Sequence, residues 1–171
     1  MHIRQANKTD LQSILDIYND AIINTTAVYD YNPHTLEMRQ QWFDDKLSKG
    51  IPVIVADFNE RVVGFTSYGP FRAWPAYKYS IEHSVYVHPD FRNQGIARKL
   101  LSHLIDTVRN KDIHTIIAGI DAANHASIHL HKQLGFEDAG HFSQVGFKFG
   151  KWLDLRFLQL ILNNSLQPTE G

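Results

Sequence analysis

The stretch RNQGIARKLLSHLI, Arg92 to Ile105, sets an arginine, two amides and a lone glycine directly ahead of an apolar helical run. Ala97, Leu100, Leu101, Leu104, Ile105 and Val108 recur there at helical spacing and make one face. Strand-like runs flank it, YSIEHSVYVH before and HTIIAGI after. A striped helix held between two strands has to bury its stripe on a sheet, which restricts the chain to α/β architectures.

The remaining pattern extends that frame. TDLQSILDIYNDAII places Leu11, Ile14, Leu15, Tyr18, Ala21 and Ile22 at helical spacing, with Thr9 as the expected cap. A second helix is predicted from Thr35, burying Leu36, Phe43 and Leu47. PVIVADFNERVVGFTSYG reads as two strands turning at Asp57, Asn59 and Glu60. NHASIHLHKQLGF is a further helix, stopped by Gly135 in the left-handed conformation, and KWLDLRFLQLIL alternates as a strand. The expected fold is a mixed α/β sheet with helices on both faces. One domain over 1–163 is predicted, followed by a short polar tail, 164–171, expected to fray.

Composition narrows the function. The 17 lysines and arginines nearly balance 18 aspartates and glutamates, so no basic excess points to nucleic acid or an anionic membrane. With no cysteine there is no disulfide, thiolate metal site or cysteine nucleophile. Neither a signal peptide nor a membrane-spanning run is legible, and a cytoplasmic protein is expected.

The glycine at the helix mouth reads in two ways. The first amides of a helix lack intrahelical partners and carry the positive end of its dipole. Small residues such as Gly95 and Ala97 let a phosphate approach them, and Arg92 and Arg98 can add charge. Alternatively, Gly95 only makes a tight strand-to-helix turn. The Walker lysine–serine pair and the full dinucleotide glycine pattern are both missing.

The pattern Arg92-x-x-Gly95-x-Ala97 after HSVYVHPDF, with NHASIHLHKQLGF a strand's length beyond, resembles the GNAT N-acetyltransferases. YGPFRAWPAYKYSIEHSVYVHPDFRNQGIARKLL together with QVGFKFGKWLDLRFLQL is similar to the phosphinothricin and methionine sulfone/sulfoximine acetyltransferase branch. The resemblance implies an acyl-CoA N-acyltransferase fold, whose mostly antiparallel sheet has a splayed strand pair. It implies acetyl-CoA as co-substrate, with pyrophosphate held by Asn93, Gln94, Gly95, Ile96, Ala97 and Arg98. The pantetheine arm would pair with Val85, Tyr86 and Val87, while Asn124 and Ser127 would contact the cofactor. A homodimer is expected, with the apolar strand LRFLQLIL suited to its interface.

An acetyl thioester is already activated, so an amine can attack it directly without a covalent enzyme intermediate. The protein must take a proton from the ammonium group, hold the amine and stabilise the oxyanion. Glu82, among neutral residues one strand-step before the cofactor strand, is either that base or one end of a structural salt bridge. The family match favours the base, and the Val85 amide suits the oxyanion. Where many relatives carry a tyrosine able to protonate the thiolate, this chain has His131, as the phosphinothricin branch does; the alternative is a packing histidine.

His125 and His129 share a helical face, but His131 lies off it and no carboxylate completes a ligand set, so no metal is expected. For the acceptor, GPFRAWPAYKY supplies Arg72, Trp74 and Tyr77, and TTAVYDYNP supplies Tyr29. Arginine can clamp a carboxylate or phosphinate, aromatics can wall a small side chain, and Lys148 can join from this chain or a dimer mate. Loop packing is the plainer alternative. Together these point to N-acetylation of a small amino-acid analogue. The competing readings are a protein N-terminal or polyamine acetyltransferase and a non-catalytic acyl-CoA-binding module.

Overall fold

Asn59 and Glu60 decide the first hairpin. In the computed structural model, which describes residues 1–163 and 167–170, they take φ of 52° and 64°, the left-handed pair that a two-residue turn matched to strand twist requires. The turn joins β2 (Ile54–Phe58) to β3 (Arg61–Pro70), and β1 (His2–Gln5) pairs with β2. Between β1 and β2 come α1 (Leu11–Asn24) and α2 (Leu36–Ser48). After β3 come β4 (Ser80–Val87), α3 (Ile96–Arg109), β5 (Thr115–Asp121), α4 (His125–Gln133), β6 (Glu137–Lys148) and β7 (Lys151–Ile161).

The hydrogen-bonded strand order is β1-β2-β3-β4-β5-β7-β6. The sheet is mixed and mostly antiparallel, as expected, with β4 and β5 running parallel. Their ladder is short: Ser80 faces Thr115, Ile81 faces Ile116 and Glu82 faces Ile117, while both strands run on beyond it. The chain divides into two compact units, Met1–Tyr68 with Ser84–Leu104 and Gly69–His83 with Ile105–Gly171.

The first unit packs Leu11, Ile14 and Ile17 of α1 and Phe43 of α2 against Val53, Val55, Val62 and Phe65. Ile17 holds the buried place expected for Tyr18, which is only partly covered. The cap also differs. A 3-10 turn, Lys8–Asp10, precedes α1, so Asn7 rather than Thr9 caps it: the Asn7 side chain accepts from the Thr9 amide at 2.8 Å, and the Asp10 carboxylate accepts from the Asn7 amide at 2.8 Å.

Helix α2 starts at Thr35, whose hydroxyl accepts from the Met38 amide at 3.2 Å, but its inner stripe is not the predicted one. Leu36 and Leu47 are exposed, and the covered positions are Arg39, Trp42, Phe43 and Lys46. Two cations replace two leucines because Trp42 lies between them: the Arg39 guanidinium stands 4.6 Å and the Lys46 ammonium 5.9 Å from its ring centre. Lys46 also donates to the Tyr68 carbonyl. Arg39 is 2% exposed and lies 4.1 Å over the Tyr18 ring as well. Cation–π contacts of about 1 kcal/mol each fall short of the several kcal/mol that burying a charge costs. Further compensation comes through His34, although Arg39 Nε stays buried without a hydrogen-bond partner among the described residues. The His34 Nδ1 accepts from Arg39 Nη2 at 3.2 Å, which leaves Nε2–H to donate to Asp30, also at 3.2 Å.

In the second unit Ile116, Ala118 and Ile120 of β5 and Leu158 of β7 are buried, with Ile128 and Phe136. Gly135 takes φ of 91° beyond α4, the expected left-handed stop. Strand β7 lies between β5 and β6, so LRFLQLIL is not an outer strand; β6 is. The chain returns from the β6–β7 hairpin into the gap beside β5, where alternation is repaid on both sides. Of the tail expected to fray, residues 164–166 and 171 lie outside the described residues, and Thr169 is tied down. Its amide donates to the Tyr79 hydroxyl at 2.9 Å, and that hydroxyl donates to the Thr169 carbonyl at 3.1 Å.

Candidate active site

In the second unit Glu82 sits half-buried at the last position of β4 that pairs with β5. Its carboxylate lies over Gly119: a Cβ built there would stand 2.8 Å from Glu82 Oε1, with Phe157 Cε1 at 3.3 Å and Leu155 Cδ1 at 3.7 Å. Burial pushes the Glu82 pKa above the ordinary carboxylate value, and the Arg72 charge opposes that rise. A carboxylate so placed is a better proton acceptor than one in water.

The loop after β3 surrounds it with aromatic material. Phe71 packs edge-on to Tyr77 at 5.8 Å and to Phe157 at 6.2 Å, and Phe142 meets Phe157 at 5.8 Å. Arg72 is exposed, its guanidinium 5.1 Å over the Phe71 ring. Tyr77 is exposed, and Trp74 is 75% exposed. Lys148 is buried, its ammonium 5.1 Å over the Phe149 ring.

His131 occupies a place with no room for a mobile proton. It is 1% exposed, and its Nδ1 donates to the Ser127 carbonyl at 2.7 Å. Its Nε2 is therefore an acceptor, filled by the Nε2–H of His83 at 3.0 Å. The rings stack with centroids 5.0 Å apart, and Phe136 closes edge-on over both. Burial holds both histidines below the usual imidazole range, His83 at about 3. In this arrangement both nitrogens of His131 are engaged within the pair and its helix. Asn124 caps α4, its side chain accepting from the Ser127 amide at 3.1 Å. Among the described residues no three histidine, aspartate or glutamate side chains are grouped to hold a metal ion; His129 is bonded instead to Gln133 at 2.9 Å.

The first unit holds the helix mouth. Asn93 and Gly95 both take positive φ, 61° and 73°, immediately before α3. Successive turns of that kind make a concave run of backbone N–H groups. Nothing lies within 4 Å of the Cβ position of Gly95, so the backbone there is open. Asn93, Gln94 and Arg98 are exposed, and Ala97 is half-buried. Ile96 is buried. Arg92, a candidate for added charge, is committed to holding the loop: its Nη2 donates to Asp20 at 2.7 Å and its Nε to the Val87 carbonyl at 3.3 Å. Val85, Tyr86 and Val87 are half-buried, and the Tyr86 ring packs against Tyr18 and Phe65, each at 5.3 Å. Tyr29 is exposed on the segment after α1.

Two structural features near these residues have weak or no local sequence signature. Gly119 makes room for the Glu82 carboxylate, and the signal was there: a glycine inside the apolar strand HTIIAGI marks a close approach. The second is His83, whose partnership with His131 joins residues 48 apart in sequence and has no local signature.

Residues 11–136 match the acetyltransferase (GNAT) family. The chain is 47% identical over 170 residues to an L-methionine sulfoximine/L-methionine sulfone acetyltransferase of Pseudomonas aeruginosa, covering 99% of this chain and 96% of that protein. A crystal structure of a phosphinothricin acetyltransferase from Sinorhizobium meliloti in complex with acetyl-CoA superposes with a TM-score of 0.94 at 35% identity, covering 99% of this chain and 94% of that one. A crystal structure of a ribosomal-protein-alanine N-acetyltransferase from Brucella melitensis superposes with a TM-score of 0.93 at 48% identity, covering 95% of this chain and 100% of that one. With a family match over most of its length and relatives this similar along nearly all of it, the chain belongs to the GNAT acetyltransferase family.

Proposed function

We propose that this enzyme moves the acetyl group of acetyl-CoA to the amino group of a small amino-acid analogue of the methionine sulfone, methionine sulfoximine or phosphinothricin type, by direct attack. The observation that carries the reading is the half-buried Glu82 carboxylate over exposed Gly119, with its pKa raised by burial. Acetyl-CoA supplies an activated thioester. The helix mouth suits its pyrophosphate, having an open backbone at Gly95, two left-handed residues and no acidic side chain in the first turn of α3.

Glu82 takes the proton from the acceptor ammonium, directly or through water, and the Val85 amide donates to the developing oxyanion. The exposed fork of Arg72 holds the acceptor's anionic end, while Trp74, Tyr77 and Tyr29 select a compact tetrahedral group. Backbone groups of Val85, Tyr86 and Val87 pair with the pantetheine arm, and Asn124 and Ser127 line its path. His131 contributes through packing. Residues 1–163 act as one catalytic domain, as a homodimer in the cytoplasm.

Glu82→Gln keeps the shape and removes the base. Its turnover with L-methionine sulfone should fall about a hundredfold or more, most of all at lower pH where the amine is fully protonated, with acetyl-CoA affinity unchanged. Thiol release across sulfones, sulfoximines, phosphinothricin, polyamines and peptides ranks the acceptors. Wild-type turnover in Glu82→Gln sinks the base assignment, and a preference for peptides sinks the small-molecule one.

A further inference from the structure

Strand β5 is buried along its whole length except at one residue. Thr115, Ile116, Ile117, Ala118, Ile120 and Asp121 are covered, and Gly119 alone is exposed. Gly119 lies just past the last β4–β5 pair, where β5 keeps its β7 partner, and without a side chain it leaves the strand open there. Glu82 and Ile117 face each other across the parallel ladder, and Gly119 is the next residue of β5 on the same face as Ile117. The Glu82 carboxylate reaches diagonally into the space that any other residue at 119 would fill, 2.8 Å from where its Cβ would be. On the other side Gly119 faces Phe157 in the antiparallel ladder, and Phe157 and Leu155 wall the same space with carbon.

We infer that Gly119 is a positioning residue for the acetyl transfer: its lack of a side chain forms the slot that seats the Glu82 carboxylate against Phe157 and Leu155, beside an open face where the acceptor amine can lie. This rests on the reading of Glu82 as the base. Glycine inside a strand is otherwise unfavourable, since it packs nothing and loses the most freedom on folding. Its φ does not demand glycine either, lying outside the left-handed region. The cost is local and the gain is placement. In this slot the carboxylate is partly stripped of water, which makes it a stronger base. A methyl group at 119 evicts it. The near atom is the end of a flexible side chain rather than backbone, so the fold survives and the carboxylate moves toward solvent.

The test is kinetic. Gly119→Ala should stay folded and bind acetyl-CoA with unchanged affinity. Its kcat with L-methionine sulfone should fall about ten- to a hundredfold, the loss that misplacing a reacting group by about 1 Å produces. The acidic limb of its kcat–pH profile should move to lower pH as the carboxylate regains water. In a Glu82→Asp background the shorter side chain no longer reaches the slot, so adding Gly119→Ala should cost less than twofold, a non-additivity that a purely structural glycine would not give. If Gly119→Ala keeps wild-type kcat and pH profile while Glu82→Gln is slow, the positioning role is wrong and the base assignment stands. If Glu82→Gln turns over like wild type, the reading beneath the inference has failed instead. Equal losses from Gly119→Ala in the wild-type and Glu82→Asp backgrounds would also overturn the inference.

Discussion

His83 and His131 illustrate how much a single buried proton decides. The tautomers are set in sequence: the Ser127 carbonyl claims the proton on His131 Nδ1, so His83 must supply the one between the rings, and His83 Nδ1 is left buried with no partner. An added proton would put charge into a space lined by Phe136, so both rings stay neutral in the folded protein. The unfolded chain has ordinary histidines, titrating near 6.5. Below that value the unfolded state binds protons that the folded state refuses. Stability therefore falls as pH drops from about 6.5 toward the folded value of about 3 for His83, by at most about 1.4 kcal/mol per pH unit for each histidine. Urea unfolding from pH 7.5 to 4.5 should show that decline. A His83→Phe/His131→Leu variant, replacing both partners with apolar groups, should flatten it; an unchanged slope would mean other groups carry it. Because the pair is packing, the same variant should leave the acidic limb of kcat unmoved.

At the scale of elements, α2 and the mouth of α3 teach opposite lessons about charge. In α2 two cations lie on the inner stripe, because Trp42, Tyr18 and the His34–Asp30 bridge receive them. At α3 the first turn carries no acid, although acids there stabilise a helix by about 0.3–1 kcal/mol. That omission suits a site for pyrophosphate, and it supplies a clean test. A bulky residue at Gly95 would confound the result, since φ of 73° strains any side chain. Ala97→Asp avoids this: it complements the dipole and keeps the helix, yet sets a negative charge where the pyrophosphate should bind. We expect an unchanged or higher melting temperature with acetyl-CoA affinity at least about tenfold weaker, roughly 1.4 kcal/mol. Unaltered affinity in calorimetry would discard the cradle.

For the whole molecule the prominent surface is the β6–β7 hairpin. Phe142, Val145, Phe147, Phe149 and Trp152 are all exposed, and Phe147 meets Trp152 edge-on across the hairpin at 5.2 Å. Strand β6 is the outer strand at its end of the order, kinked by register shifts near Asp138 and Phe142. Such kinks discourage open-ended strand pairing, while the aromatic patch invites one specific partner. A second copy of the chain is the occupant we expect, through this hairpin rather than through β7. Sedimentation should give a dimer for the wild type and a monomer of unchanged fold for Phe147→Glu/Trp152→Glu. A monomeric wild type would refute the assembly. No helix among the described residues is long and apolar enough to cross a membrane.

Local sequence determined what depends on neighbours along the chain. Periodicity placed α1, α3, α4 and strands β2, β3, β4, β5 and β7, the Asn59–Glu60 pair marked its hairpin, and Gly135 marked its stop, because each obeys short-range sterics and hydrogen bonding. The helix mouth was legible for the same reason. The tertiary structure alone decided what depends on residues far apart. It buried Arg39 and Lys46 while exposing Leu36 and Leu47, inserted β7 between β5 and β6, paired His83 with His131, and set Glu82 in the space left by Gly119. A side chain's type states its chemistry, but its pKa, its tautomer and its reach are set by groups that only folding brings beside it.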